Sequence, residues 1–261
     1  MHQLSCKTML SHKKFLFVVL ACLVRTGGAK SIHFCVITSY REQPYVQGTS
    51  DALLAQILAV FPRRVTMSIN VAAGALSEAK IVSPFAKLLE NREMATGEDC
   101  TTNASIDPLP SCRVRQQGLD VANALESCYN KTVNEDLTNW ILLLEDDFMP
   151  CENALEGLLK ILDTLDPTNN KFARFTQGSG GVAFPKANIP LYTRNVREHI
   201  LEQPYDHVLL NAWSNNQDFV FPVHLFHHIG DVSSIAYRNS PEYRTEFAGI
   251  RDNTCGSPIT V

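Results

Sequence analysis

The chain has 261 residues, a formal net charge of −4 and a hydrophobic fraction of 45%. That is apolar material for a core of ordinary size. With no basic block in the sequence, bulk electrostatics argue against a nucleic-acid-binding surface, although a local site can still hold a nucleotide.

In chain order, Lys7, His12, Lys13 and Lys14 precede the apolar run FLFVVLACLV, Phe15 to Val24, and the small residues of RTGGAKS follow. A basic start, a short apolar centre and a small-residue exit form the layout of a secretory signal. Ten apolar residues span about 15 Å as a helix, half of a bilayer core of about 30 Å. A cleaved signal is therefore favoured over a type II anchor. Residues 1–30 are read as the signal or short anchor, and 31–261 as one domain. Beyond the signal stand Cys35, Cys100, Cys112, Cys128, Cys151 and Cys255, an even set that suits disulfides in an oxidising lumen. No CxxC spacing suggests zinc. NAS at Asn103 and NKT at Asn130 have the form of glycosylation acceptors.

SIHFCVITSYR predicts a buried strand over Ile32 to Thr38. TSDALLAQILAVFP predicts a helix capped by Thr49 or Ser50 and stopped before Pro62, and RRVTMSINV a second strand. Strand, helix, strand at this spacing argues for an α/β unit with parallel strands. Glu98 to Cys112 reads as a surface loop that Cys100 and Cys112 could close. RQQGLDVANALESCYN returns to helical spacing, with Leu119, Ala122, Leu125 and Cys128 on one face. NWILLLEDD is a strand apolar without interruption, as in the centre of a parallel sheet. CENALEGLLKILDTLDP reads as an amphipathic helix ending at Pro167. FARFTQGSGGVAFP holds a short apolar segment and a glycine-rich turn. Helices are expected within LYTRNVREHILEQ and PYDHVLLNAW, and two short strands within QDFVFPVHLFHHIGDVSS.

The acidic triplet that ends the most buried strand raises a physical question. In open α/β sheets ligands collect at the carboxyl ends of strands. Extended backbone would send Glu145 and Asp147 to one side and Asp146 to the other. Three adjacent anions beside an apolar sheet repel each other and resist desolvation. A divalent cation would relieve that cost, and oxygen ligands select magnesium, manganese or calcium. Magnesium-type sites take one or two carboxylates and complete their shell with water and phosphate. The pattern suits a nucleoside diphosphate held through a metal. The competing reading is a helix N-terminus, where acidic residues are favoured by the dipole and by free amides.

LLLEDDFMPCENAL resembles the LEDD region of the N-acetylglucosaminyltransferase IV family. QQGLDVANAL resembles its upstream KQ-x-LDY helix, PYDHVLL its downstream P-x-DWLL segment, and LFHHIGDVSS its LFQHVGTHSS segment, in the same order and over Ile32 to Ser234. The related post-GPI-attachment factor 4 shares the acidic motif. The resemblance implies a GT-A fold: a nucleotide-diphospho-sugar transferase with a mixed, mostly parallel sheet flanked by helices. It also implies a Golgi-lumen enzyme, of cleaved-signal or type II form, that uses a UDP-sugar donor and manganese, with magnesium as the alternative. The expected reaction moves N-acetylhexosamine, most simply N-acetylglucosamine, to a glycan or glycolipid acceptor, with inversion. Membrane association would come through the N-terminal apolar segment, and no nucleic-acid partner is implied. The alternatives are a GPI side-chain N-acetylgalactosaminyltransferase and a catalytically inactive luminal binding protein.

By the same resemblance, Asp147 is the expected metal ligand, Asp146 a contact to ribose or the water shell, and Glu145 part of the nucleotide site. Gln117 and Asp120 fall at the uridine or ribose. His228 completes the metal shell or donates to the diphosphate, and Ser233 and Ser234 bond phosphate or simply close a turn. Transfer with inversion needs a base near the acceptor hydroxyl. Asp206 is the candidate, with Asp218 as the weaker option and helix capping as its competing role. Two positions depart from the family pattern: Val121 replaces a tyrosine and His207 a tryptophan.

Overall fold

The computed structural model describes residues 30–38, 45–60, 64–72, 86–90, 95, 100, 110–135, 138–168, 172–176, 180–213, 219–230 and 255–256. The apolar run at Phe15 to Val24, the sequon at Asn103, and Asp218, Ser233 and Ser234 lie outside them. Among the described residues, no helix is long and apolar enough to cross a membrane.

The strands are β1 (Ser31–Thr38), β2 (Val65–Val71), β3 (Ala86–Glu90), β4 (Thr138–Glu145), β5 (Phe148–Pro150), β6 (Ala173–Arg174), β7 (Val182–Pro185), β8 (Phe219–Val220) and β9 (Phe226–His228). The helices are α1 (Val46–Val60), α2 (Cys112–Thr132), α3 (Ala154–Thr164), α4 (Ile189–His199) and α5 (Tyr205–Trp213). Seven strands form one sheet in the order β3-β2-β1-β4-β7-β6-β8, and β5 and β9 form a separate ribbon. β1 lies parallel to both β2 and β4, β2 to β3, and β6 to β8, whereas β7 is antiparallel to β4 and β6. The sheet is thus mixed and mostly parallel, as the sequence leads one to expect.

Alternation along the strands builds two cores. Phe34, Val36, Met67, Ile69, Trp140, Leu142 and Leu144 pack with Leu53 and Ile57 of α1 and Leu155, Leu158, Leu159 and Leu162 of α3. Cys35, Ile37, Ile141, Leu143 and Phe184 face the other way, onto Val121, Ala124 and Leu125 of α2, Tyr192 and Val196 of α4, and Tyr205, Val208 and Leu209 of α5. Helices therefore cover both faces, which is why β4 can be apolar without interruption. Each fully buried Leu or Ile contributes about 1.5–3 kcal/mol, so a one-residue slip of β4 would cost far more than any local preference could recover.

Three expectations are corrected. α1 begins at Val46, so Thr49 and Ser50 lie inside the helix, buried, rather than at its cap. Thr49 has another partner there: its Oγ1 donates to the Asp146 carbonyl at 2.5 Å. The helix read from Cys151 starts only at Ala154, and Phe148–Pro150 forms β5 between it and the acidic triplet. The strand itself stops at Glu145 and a turn occupies Asp146 and Asp147, so period-two alternation ends before the last two acids.

Three disulfides join Cys35 to Cys128, Cys100 to Cys112 and Cys151 to Cys255. The first ties β1 to α2. The second is the pair offered for the surface loop. The third fastens the residues after β5 to the chain's C-terminal part.

Candidate active site

The strand order reverses between β1 and β4, since β2 and β3 lie on one side of β1 and β4 on the other. Such a switch point opens a crevice at the carboxyl ends of the two strands, and the acidic triplet sits at that edge. Asp146 N–H donates to the Ile37 carbonyl at 3.0 Å, continuing the β1–β4 ladder by one bond. Its carboxylate is only 1% exposed and accepts from Thr38 Oγ1, the last residue of β1, at 2.7 Å. Asp146 thus bridges the switch point.

Asp147 is 3% exposed and goes elsewhere. The ribbon pairs Phe148 with His228 and Met149 with His227, and Ile229 N–H donates to the Asp147 carbonyl at 2.8 Å. This register brings His228 Nε2 within 3.2 Å of Asp147 Oδ2, across 81 residues of sequence. The Phe148 ring packs against the His228 ring at 4.9 Å between centroids. Gly230 lies on the same carboxylate: a Cβ there would stand 3.0 Å from Asp147 Cγ and 3.1 Å from its Cβ, and would meet Oδ2 more closely still. Gly180, in the glycine-rich turn before β7, backs onto Phe148, where a Cβ would come within 2.5 Å of the ring. Cys151 N–H donates to the Leu225 carbonyl at 3.0 Å, and Gly256 N–H to that of His224 at 3.1 Å. The third disulfide therefore clamps the ribbon that positions His228.

Glu145, on the second core's face of β4, has a third partner: Tyr205 Oη donates to its Oε1 at 3.0 Å. Three adjacent acids are thus dispersed to three elements, β1, β9 and α5.

Asp147 and His228 provide one carboxylate oxygen and one imidazole nitrogen. Among the described residues, no group of three or more His, Cys, Asp or Glu side chains could hold a metal ion. The pair suits an ion that keeps open positions for phosphate and water. A mixed oxygen and nitrogen donor set favours manganese over magnesium.

The other expected residues fall as follows. Asp120 is buried in α2, where its Oδ1 accepts from Gln116 Nε2 at 2.9 Å. Gln116 is therefore the glutamine that touches Asp120, and Gln117 is its half-buried neighbour. Asp206 is half-buried in the first turn of α5, where its Oδ1 accepts from His207 N–H at 3.0 Å. Its charge also reaches Tyr192, whose hydroxyl is held well above the usual tyrosine range, first by burial and then by Asp206. The structure thus brings Asp147 and His228 together, ties Asp146 to Thr38 and attaches Glu145 to α5. Sequence reasoning missed Thr38, Gln116, Tyr205 and Gly230. Thr38 had a signal, as the last residue of a strand beside the expected crevice. Tyr205 and Gly230 had only their proximity to Asp206 and His228.

No family model matches the chain, and no curated protein sequence matches it. Among solved structures, one similar chain is a glycosyltransferase involved in the glycosylation of the major capsid of PBCV-1, at 11% identity and a TM-score of 0.47. It covers 78% of this chain and 94% of its own. Another is 4-diphosphocytidyl-2C-methyl-D-erythritol synthase, at 10% identity and a TM-score of 0.45, covering 85% and 99%. Likeness at this level is one of general strand and helix arrangement, and neither protein's activity transfers with it.

Proposed function

We propose that the chain is a GT-A glycosyltransferase that moves an N-acetylhexosamine from a UDP donor to a glycan or glycolipid acceptor. The observation that carries this reading is the buried Asp147 carboxylate at the carboxyl edge of β4, within 3.2 Å of His228. A carboxylate that merely capped α3 would sit at that helix's start and face solvent. Asp147 is instead six residues before the N-cap Asn153, and the β5–β9 ribbon exists between them. The motif resemblance to the N-acetylglucosaminyltransferase IV family supports the donor class, and post-GPI-attachment factor 4 supplies the alternative donor, UDP-N-acetylgalactosamine. Three disulfides support a secretory-lumen location.

In this reading Asp147 and His228 hold a manganese ion, which supplies Lewis-acid relief of charge on the leaving diphosphate. The chain's own residues do the rest. Asp146, fixed by Thr38, presents the turn at the switch point and orients the nucleoside. Gly230 lets the chain after β9 pass against the Asp147 carboxylate, where any side chain would collide with it. Asp206 takes the acceptor's proton; its neighbour Tyr205 touches Glu145, which sets the first turn of α5 at the same edge of the sheet as the triplet. Burial of the two aspartates excludes water from the side facing the core.

The test is calorimetric titration of UDP with and without manganese. Binding is expected to require the metal and to be abolished in Asp147→Ala, with the melting profile retained. Metal-independent binding, or unchanged affinity in the variant, would refute the assignment. Hydrolysis assays with the two UDP-N-acetylhexosamines then separate the donors.

A further inference from the structure

Three segments far apart in sequence meet at one hydrogen bond. Tyr205 opens α5 directly behind Pro204, and its hydroxyl reaches Glu145 Oε1 at 3.0 Å. Its ring is fixed: the residue is 4% exposed and belongs to the core with Val121, Ile141, Leu143 and Leu209. Gly118 of α2 lies against it. A Cβ at Gly118 would stand 3.6 Å from Tyr205 Cβ, an ordinary van der Waals contact, and 3.1 Å from Ile200 Cδ1, where the end of that side chain would have to give by a few tenths of an ångström. The glycine of QQGLD, the tyrosine of PYDHV and the glutamate of LLLEDD are therefore one assembly.

A buried tyrosine hydroxyl must find a partner, and packing alone would be served by phenylalanine. Here the partner is a half-buried carboxylate at the end of β4, a strand buried at every position from Trp140 to Leu144. A glutamate at such a position has three side-chain torsions to immobilise. A phenol held by a rigid ring fixes the carboxylate's position at almost no further entropic cost, because the ring is already ordered by the core. The direction matters as well. Glu145 leaves β4 toward α2, α4 and α5, whereas Asp147 turns to β9. If Asp147 and His228 take the diphosphate, Glu145 meets a different portion of the same ligand.

We propose that Tyr205 is a positioning residue for the sugar half of the donor: its hydroxyl holds the Glu145 carboxylate where it accepts a hydrogen bond from a hydroxyl of the transferred sugar. This inference rests on the glycosyltransferase reading and assigns the sugar subsite within it. A fixed acceptor of this kind discriminates strongly against sugars that lack the matching hydroxyl, because the carboxylate is then left without its substrate donor.

The experiment is a double-mutant cycle on full-length protein with manganese, using whichever of UDP-N-acetylglucosamine and UDP-N-acetylgalactosamine the wild type turns over. Tyr205→Phe is expected to lower kcat/KM for the donor at least tenfold while leaving the Kd of UDP within twofold. Glu145→Gln is expected to lower kcat/KM by as much or more. The double variant should be no worse than Glu145→Gln alone, because the effect of Tyr205 on the sugar is transmitted through that carboxylate. A change under twofold in Tyr205→Phe, or losses that multiply in the double variant, would overturn the inference while leaving the enzyme assignment standing. A parallel loss of UDP affinity would equally overturn it, as the sign of general collapse of the site. Should Tyr205→Phe fail to fold, Glu145→Asp carries the test. It keeps the charge and withdraws it from the phenol by one methylene, and activity within twofold of wild type would sink the idea. A wild type that neither binds UDP with manganese nor turns over either donor overturns both proposals together.

Discussion

His33 offers a prediction whose size follows from the structure. It lies in β1, buried between strand neighbours, with Nδ1 2.7 Å from Thr66 Oγ1 and Nε2 3.1 Å from Ser68 Oγ. Lys131 of α2 donates to the same Ser68 hydroxyl at 2.8 Å. Burial, and secondarily the Lys131 charge, push the imidazole from 6.5 down to about 3. A folded-state value below the unfolded one means that the unfolded chain takes up a proton first as pH falls. The contribution to stability is therefore complete above about 6.5 and is lost progressively as pH falls towards about 3. Each pH unit within that window is worth about 1.4 kcal/mol. Between pH 7.5 and pH 5 the loss is about 2 kcal/mol. The diagnostic quantity is the difference between two proteins that differ only at His33. Chemical denaturation with disulfides intact should show wild type losing about 2 kcal/mol more than His33→Gln over that interval. Identical pH-induced losses in the two proteins would refute the reasoning, as would a His33 ring resonance that shifts between pH 7.5 and pH 5.

Further outcomes follow from the site. Gly230→Ala drives a methyl group onto the Asp147 carboxylate and should weaken manganese-dependent UDP binding at least tenfold with the circular dichroism spectrum unchanged; retained affinity would show that Gly230 does not border the ligand. Thr38→Val removes a donor from the buried Asp146 carboxylate and should cost about 1–3 kcal/mol in denaturant unfolding, so a loss under about 0.5 kcal/mol would contradict the bridge across the switch point. Replacing Cys151 and Cys255 by serine opens a closure of 104 residues, which should cost about 2–4 kcal/mol and weaken UDP binding as the ribbon loosens around His228. An unchanged melting temperature would argue that the ribbon does not depend on that clamp.

Local pattern alone made much of this molecule legible. Ile32 to Thr38 reads as a buried strand from its short, mostly apolar run, and Trp140 to Leu144 because an unbroken apolar run can be satisfied only with cover on both faces; both faces are covered. Leu155, Leu158, Leu159 and Leu162 announced a helix by spacing, and the helix forms. Placing Glu145 to Asp147 at a carboxyl edge followed from the strand's direction, and so did the expectation of a site there. Period and composition are properties of neighbours in sequence, so sequence suffices to read them. The fate of each acid was different. Extended geometry predicts two sides for three carboxylates, yet the chain turns after Glu145 and sends them to Tyr205, Thr38 and His228. Those partners lie 60, 108 and 81 residues away. Nothing in the triplet encodes them, because they are chosen by sheet order, by the β5–β9 register and by the approach of α5 over Gly118. The amino-acid order thus determined which segments must be buried and where charge would gather. Only closure of long loops in three dimensions decided which donor each charge received, since that depends on the packing of whole elements and not on any one stretch of chain.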